Sequence, residues 1–204
     1  MTTLTRPRWT VPTALILLAF VPAVAGVVRV VDLAGGEVTA DNSRFFASPL
    51  PVLLHVVGAT VYSVVGAFQF VPGPRRSGWH RRAGRLLVPC GLVAALSGLW
   101  MTLFHELPAI DGDLLGFFRV GFGSFMAVAL VLGFTAVRRR DYASHRAWMT
   151  RAYAIGLGAG SQAVVLGGWA LVAAPPGEVG HALLMAAAWA VNLAVAEWVV
   201  RRRS

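Results

Sequence analysis

The sequence contains no lysine, and charged residues of either sign are scarce. Only 13% of the 204 residues are charged, about half the share of about 25% that soluble domains carry. Hydrophobic residues make up 57% of the chain, and the mean hydropathy is +0.67. This composition leaves no room for a sizeable soluble domain. It predicts an integral membrane protein in which residues 1–204 form a single domain.

Cysteine is almost absent as well, and so are the common catalytic motifs. The only cysteine, Cys90, lies in an apolar run, which excludes an intrachain disulfide framework and paired-cysteine metal sites. The chain has no glycine-rich phosphate loop ending in lysine, no HExxH and no GxSxG. The GxGxG pattern at 156–160 lies within an apolar run, which argues against a dinucleotide site. The standard motifs therefore assign no reaction.

All 18 basic residues are arginine, and they give a net charge of +9. Most of them stand in short clusters between apolar runs, which is typical of cytoplasmic loops and not of a nucleic-acid-binding face. Six runs are long enough to cross a bilayer, which takes about 20 residues: 11–31, 50–72, 86–104, 114–137, 153–174 and 180–200.

The joints between these runs alternate in charge. Fifteen of the 18 arginines fall on one side, namely Arg6, Arg8 and those within 75–85, 138–151 and 201–203. The acidic joints 32–41, 106–113 and Glu178 fall on the other side. The positive-inside rule then places both termini in the cytoplasm. We predict an all-α, polytopic membrane bundle of about six transmembrane helices in the inner or plasma membrane.

The first run also resembles a signal peptide. Two arginines precede an apolar core, and Ala23-Val24-Ala25 offers small residues before Gly26. Because the apolar run continues to Val31, we expect a retained helix at 11–31; cleavage would leave five helices.

The five histidines divide between the two sides of the predicted bundle. His80 and His145 lie toward the cytoplasm, whereas His55, His105 and His181 lie toward the outside. Histidine is a common axial ligand of haem. An inner pair of His80 and His145, and an outer pair of His55 with His105 or His181, could therefore hold haem b.

Nearby arginines could hold the haem propionates. These are Arg81, Arg82, Arg85, Arg146 and Arg151. The alternative is that the histidines are ordinary interfacial residues and the arginines bind anionic lipid head groups.

Several other polar groups lie within the apolar runs. His55 is about five residues inside the second run, where an ionisable side chain suggests a functional site. Arg119 is expected to pair with Glu106, Asp111 or Asp113. Glu197, with Asn192 five residues before it, is expected to neutralise an inner arginine such as Arg85 or Arg151. Gln69, Gln162 and Tyr62 could line a cavity or bridge helices.

Four segments together resemble a family of bacterial membrane proteins, the domain of unknown function 2306. They are His55 with GAFQF at 66–70, HRRAGR at 80–85, HRAWMTRAY at 145–153, and Trp189, Asn192 and Glu197. The resemblance covers about residues 50–200 and implies a small helical inner-membrane protein without an assigned activity. The histidines at helix starts are more loosely similar to transmembrane cytochromes b of the ascorbate-linked type.

Three functions remain open from the sequence. The first is a membrane redox or cofactor-binding protein (haem b or quinone) that uses His55, His80 and His145 as ligands or proton carriers. The second is a non-enzymatic lipid-binding, transport or scaffold bundle. The third is an intramembrane enzyme acting on a lipid or isoprenoid substrate through Glu197, Arg119 and the histidines. The expected partners are the lipid bilayer, anionic head groups at the cytoplasmic face, and other membrane proteins or a second copy of the chain.

Overall fold

The computed structural model describes residues 9–71 and 78–202, which form helices and short connections with no strand among them. The arginines at 6, 8, 75, 76 and 203 lie outside these residues. The helices are α1 (Thr10–Gly35), α2 (Ser43–Ala47), α3 (Pro49–Ala67, extended by a 3-10 turn at Phe68–Phe70), α4 (Gly78–Phe104), α5 (Gly112–Arg138), α6 (Tyr142–Gly156), α7 (Gly158–Val172) and α8 (Glu178–Arg201).

Five of these helices, α1, α3, α4, α5 and α8, are each long and apolar enough to span a membrane. The pair α6 and α7 makes a sixth span if the two are counted as one. In lipid, every backbone N–H and C=O needs an internal partner, and a helix supplies it. The prediction of an all-α membrane bundle of about six spans is confirmed.

The fifth predicted span differs from its expected form. The sequence predicts one run over 153–174, but the chain is helical from Tyr142 and bends by 42° at a break after Gly156. Glycine stands on both sides of Leu157, at positions 156 and 158, and again at 160. Neighbouring groups approach these glycines closely, so the break is part of the packing.

The spans alternate, so the connections fall at two ends of the bundle. We call the end with the loops 36–48, 105–111 and 173–177 the outer end, following the orientation that the positive-inside rule predicts. The opposite end is the inner end. Helices α3, α4, α5 and α6 pack in sequence, α3 also contacts α6, and α8 packs against α5, α6 and α7. Helix α1 lies at the periphery, against α3 and α7.

The buried centre is built around Tyr62 of α3. Its side chain is 5% exposed, and its ring lies between Gly91 of α4 and Gly156 of α6. A Cβ at either glycine would come within 2.8 Å of the ring. Because these two residues lack side chains, three helices can close around one aromatic ring.

Helix α1 joins the bundle through a second close contact. Pro22 has no N–H, so the Leu18 carbonyl four residues earlier lacks its usual helical donor. Gly160, in the first turn of α7, faces this carbonyl oxygen so closely that a Cβ at position 160 would collide with it. The two backbones therefore meet at Leu18 and Gly160.

Substitution of two glycines in α7 tests this contact. Gly160→Ala should destabilise the protein by about 1–3 kcal/mol, the usual cost of overpacking, because the new methyl group meets backbone that cannot move aside. Gly167→Ala is the control, since a Cβ there meets nothing within 4 Å. Unfolding by SDS in mixed micelles measures both variants. Equal stability of the two variants would contradict the close contact.

Candidate functional site

A cavity of about 390 Å³ runs from the outer end into the centre of the bundle. This volume lies within the range of about 300–1,000 Å³ that small-molecule sites occupy. Most of its wall is apolar, and small residues of α3, α4, α5 and α7 make room for it. The polar or aromatic residues in its wall are Arg44, Phe45, His55, Tyr62, Thr102, His105, Asp111, Arg119, Gln162 and Trp189. We call this space the outer cavity.

His55 of α3 is fixed in the wall of the outer cavity by one ring nitrogen. Its Nδ1 lies 2.8 Å from the carbonyl oxygen of Ala94, and the Ser97 hydroxyl lies 3.4 Å away from the same nitrogen. Gly98 leaves room for the ring, since a Cβ there would be 3.2 Å from Cε1. A carbonyl only accepts hydrogen bonds, so Nδ1 carries the proton and the Nε2 of a neutral ring is an acceptor. Among the described residues, Nε2 has no hydrogen-bond partner.

Tyr62 stands two turns further along the same face of α3 and also lines the outer cavity. No residue in the described part of the chain forms a hydrogen bond with its hydroxyl. The neighbouring Tyr153 is different, because its hydroxyl donates to the Ser63 carbonyl at 2.6 Å. Buried phenol groups normally find a partner. The Tyr62 hydroxyl is therefore an unpartnered polar group in a largely apolar space.

The break between α6 and α7 forms another part of the wall, through Ile155, Gly156 and Ala159. Breaks in membrane helices are tolerated where they are buried or line a cavity, and in transporters they mark binding sites. Nearby amides support this segment. Asn192 donates to the Ala154 carbonyl at 3.0 Å, and Gln162 donates to the Met185 carbonyl at 3.3 Å.

Asn192 also accepts a hydrogen bond from the Ser161 hydroxyl at 2.8 Å, so it joins α6, α7 and α8. The structure thus gives Asn192 a packing role beside the break.

Gln69 lies elsewhere, in the 3-10 turn after α3, and its buried Nε2 has no partner within the described residues.

Charged residues surround the mouth of the outer cavity. Arg119 of α5 donates to the Asp111 carboxylate at 2.8 Å, and His181 of α8 approaches the same carboxylate at 3.5 Å. Of the three predicted partners of Arg119, the structure selects Asp111. The Glu178 carboxylate lies against Gly112, which has a φ of +55°. A side chain at position 112 would be excluded both by this conformation and by the contact.

His105 and Arg44 complete the mouth. The His105 ring packs edge-on to Phe45 and Trp100, with centroid distances of 5.9 and 5.3 Å. Burial, and then the positive charge of Arg44, lower the pKa of His105, so its ring is neutral at pH 7. Its Nε2 is enclosed by protein and has no described partner. His105 lines the outer cavity together with His55, whereas His181 faces Asp111. The pairing of His55 with His105 or His181 stays a prediction.

At the inner end, His145 is held in the same way as His55. Its Nδ1 lies 2.8 Å from the Gly133 carbonyl of α5. A short turn after α5 and the capping of α6 by Asp141, which accepts from the Ser144 N–H at 3.0 Å, bring these helices together. These hydrogen bonds with Ser144 lower the pKa of Asp141. His80 lies in the first turn of α4 at the same end. The pairing of His80 with His145 stays a prediction.

His55 and His145 lie too far apart to share one metal ion. Gly98, beside the His55 ring, precedes Leu99, which contacts the position of Gly123 on α5. Gly133 lies ten residues nearer the inner end, which is about 15 Å along a helix. The described residues also contain no group of three or more His, Cys, Asp or Glu side chains suited to a metal ion.

The arginines predicted to hold an anionic group divide into two kinds. Arg81, Arg82, Arg85 and Arg146 are exposed at the inner end. Arg151 instead forms a two-pronged ion pair with Glu197, with Nη2 3.0 Å from Oε2, and it stacks on Trp148 at 4.7 Å. The predicted pairing of Glu197 with Arg151 is therefore found, and the charge of Arg151 is already balanced. Glu197 does not line the outer cavity.

Asp111 and Asp113 provide a test of the ion pair at the mouth. Asp111→Asn leaves Arg119 without its counter-charge and should lower stability by about 2–3 kcal/mol. Breaking a fully buried ion pair costs about 3–5 kcal/mol, and the loss here is smaller because Arg119 is 24% exposed. Asp113→Asn is the control, since Asp113, two residues further along the chain, is exposed. Unfolding titrations in mixed micelles compare them. An equal loss of stability in both variants would show that the Arg119–Asp111 ion pair does not stabilise the protein.

Comparisons with known proteins place the chain in a family. Neither a curated protein nor a solved structure matches it. The model of the family described as "Predicted membrane protein (DUF2306)" matches residues 52–200. This match covers α4 to α8 and nearly all of α3, including His55 and Tyr62, whereas α1 precedes it. The chain belongs to the DUF2306 family of membrane proteins.

Proposed function

We propose that this protein binds a quinol, a six-membered ring with hydroxyl groups at opposite ends, in the outer cavity. The observation that carries the proposal is that His55 and Tyr62, on one face of α3, both line the outer cavity, while His55 Nε2 and the Tyr62 hydroxyl have no hydrogen-bond partner among the described residues. Small-molecule sites typically combine an apolar wall with a few such convergent polar groups.

The spacing of the two residues suits such a ring. They are seven residues apart, which is two helical turns and about 10 Å along the axis. With carbon–oxygen bonds of about 1.2–1.4 Å, the opposite oxygens of the ring are about 5 Å apart. A hydrogen bond of about 2.8 Å at each end extends this span to about 10–11 Å. The span is close to the axial separation of the two residues, so one ring lying along this face of α3 can reach both side chains.

The proton on Nδ1 of His55 favours the reduced form of the ligand. Because Nε2 accepts a hydrogen bond, it needs a donor, and a quinol hydroxyl donates whereas a quinone carbonyl does not. The Tyr62 hydroxyl can donate or accept, so it suits either form. The site therefore binds the quinol more tightly than the quinone.

Variants of His55 and Tyr62 test this proposal. His55→Leu and Tyr62→Phe should each weaken quinol binding about threefold to tenfold, since a neutral hydrogen bond contributes about 0.5–1.5 kcal/mol. Only the wild type and Tyr62→Phe should prefer quinol to quinone. Equilibrium dialysis of detergent-solubilised protein under reducing and oxidising conditions measures these affinities.

Tyr153→Phe is the matched control for Tyr62→Phe. Tyr153 is a buried tyrosine of the same centre, but it does not line the outer cavity and its hydroxyl already has a partner. It should keep wild-type affinity even if its stability falls. Absence of quinol binding to the wild type, or an equal loss in the control, would refute the proposal.

Haem b is a second candidate ligand, favoured by one observation. His55 and His145 both donate Nδ1–H to a backbone carbonyl, the arrangement that orients metal-ligating histidines. At His55, the arginines of the mouth, Arg44 and Arg119, could hold propionates.

The absorption spectrum of the purified protein, oxidised and dithionite-reduced, separates the two candidates. Quinol binding alone predicts no Soret band in protein from haem-replete cells. A Soret band lost in His55→Leu would assign haem to the outer cavity. Its loss in His80→Ala or His145→Ala would assign it to the inner end.

A further inference from the structure

A second, smaller space adjoins the outer cavity on the side of α1. It measures about 100 Å³, well above the about 10–15 Å³ that one water needs. Four residues, His55, Ala59, Gly156 and Ala159, line both spaces. We call the smaller space the α1 slot. The two spaces therefore adjoin beside His55, next to the proposed quinol site.

The α1 slot lies between two close contacts of α1 with the bundle. At one contact, Leu18 meets Gly160 of α7, and at the other Gly26 meets Val56 of α3, where a Cβ at position 26 would be 2.8 Å from a Val56 methyl group. Between these contacts α1 presents Ala19, Pro22 and Ala23. Small residues there hold the slot open while the contacts fix its width.

The α1 slot lies next to the lipid-facing side of the bundle. Helix α1 is the peripheral span, and only 6% of its apolar window is buried in the protein. The wall of the slot is apolar apart from His55, Thr60 and Ser63, and the Ser63 hydroxyl is turned to its own helix, donating to the Ala59 carbonyl at 2.7 Å. An aliphatic chain can lie along such a wall because few polar groups border it.

We propose that the α1 slot takes the aliphatic tail of the quinol, so that the ligand is a membrane-borne quinol with an isoprenoid or alkyl chain. This inference rests on the proposed function. The ring occupies the outer cavity between His55 and Tyr62, and the tail leaves beside His55 toward the bilayer. A tailed quinol and a tailless quinol share the ring site, but only the tailed molecule needs the slot.

The test fills the slot from α1 and compares two probes. Ala23→Phe places a large ring between α1 and α3, whereas Val24→Phe, on the next residue, adds the same ring to a side chain that is 46% exposed on the lipid face. Affinities of each variant, in nanodiscs of one lipid composition, are measured for a decyl-substituted benzoquinol and for its methyl analogue. Partition of the probes into lipid is then the same for all variants.

The expected result is selective. Ala23→Phe weakens binding of the decyl quinol at least tenfold and leaves the methyl quinol within twofold of wild type, and Val24→Phe changes neither. Ala23→Leu adds a smaller side chain and gives an intermediate loss of affinity for the decyl quinol. The test therefore does not depend on correct folding of the Phe variant. An unchanged decyl affinity in both Ala23 variants overturns the tail assignment while the quinol site stands. Absence of binding of both probes to the wild type refutes the quinol site itself.

Discussion

In a lipid bilayer each backbone N–H and C=O must find a partner within the protein. Five spans are continuous helices, and they meet most of this requirement internally, although prolines such as Pro22 in α1 remove a donor. The sixth span, formed by α6 and α7, breaks at Leu157. The break is tolerated because Leu157 is buried, with 6% exposure, and because Asn192 reaches the Ala154 carbonyl beside it. The outer cavity and the α1 slot both adjoin this segment. The break thus determines where space opens in the bundle.

Close packing between helices shapes the rest of the wall around this space. Lipid provides no hydrophobic force between helices, so contact between them depends on how closely the backbones pack. Gly91 and Gly156 receive the Tyr62 ring, Gly98 leaves room for His55, and Gly160 meets Leu18. Because these glycines have no side chain, polar and aromatic side chains occupy positions in the centre that aliphatic side chains would otherwise fill. The polar groups of the cavity are therefore rigidly held.

The intramembrane polar residues divide by whether the protein already satisfies them. The Arg151–Glu197 pair joins α6 and α8 at the inner end, Arg119 of α5 pairs at the outer end with Asp111, just before the same helix, and Asn192 joins three helices at the break. These groups already have partners within the protein. His55 Nε2 and the Tyr62 hydroxyl lack partners among the described residues, and both residues line the outer cavity. Because an unpaired polar group in an apolar cavity costs free energy, a ligand that pairs with both groups is favoured.

The sequence by itself determined the helical membrane architecture, because the length and polarity of each run decide whether it can cross a bilayer. It also identified His55 as a buried ionisable group, and the charge rule narrowed the partners of Arg119 and Glu197 to a few residues. It named Tyr62 among the residues that could line a cavity, but it did not connect Tyr62 with His55, because their spacing matters only once α4, α6 and α7 leave a cavity at that face. The tertiary structure alone decided the bend at Leu157, the choice of Asp111 and Arg151 as ion-pair partners, and the slot beside α1. Each of these depends on the distance between backbones of different helices, which hydropathy and charge along one chain do not encode.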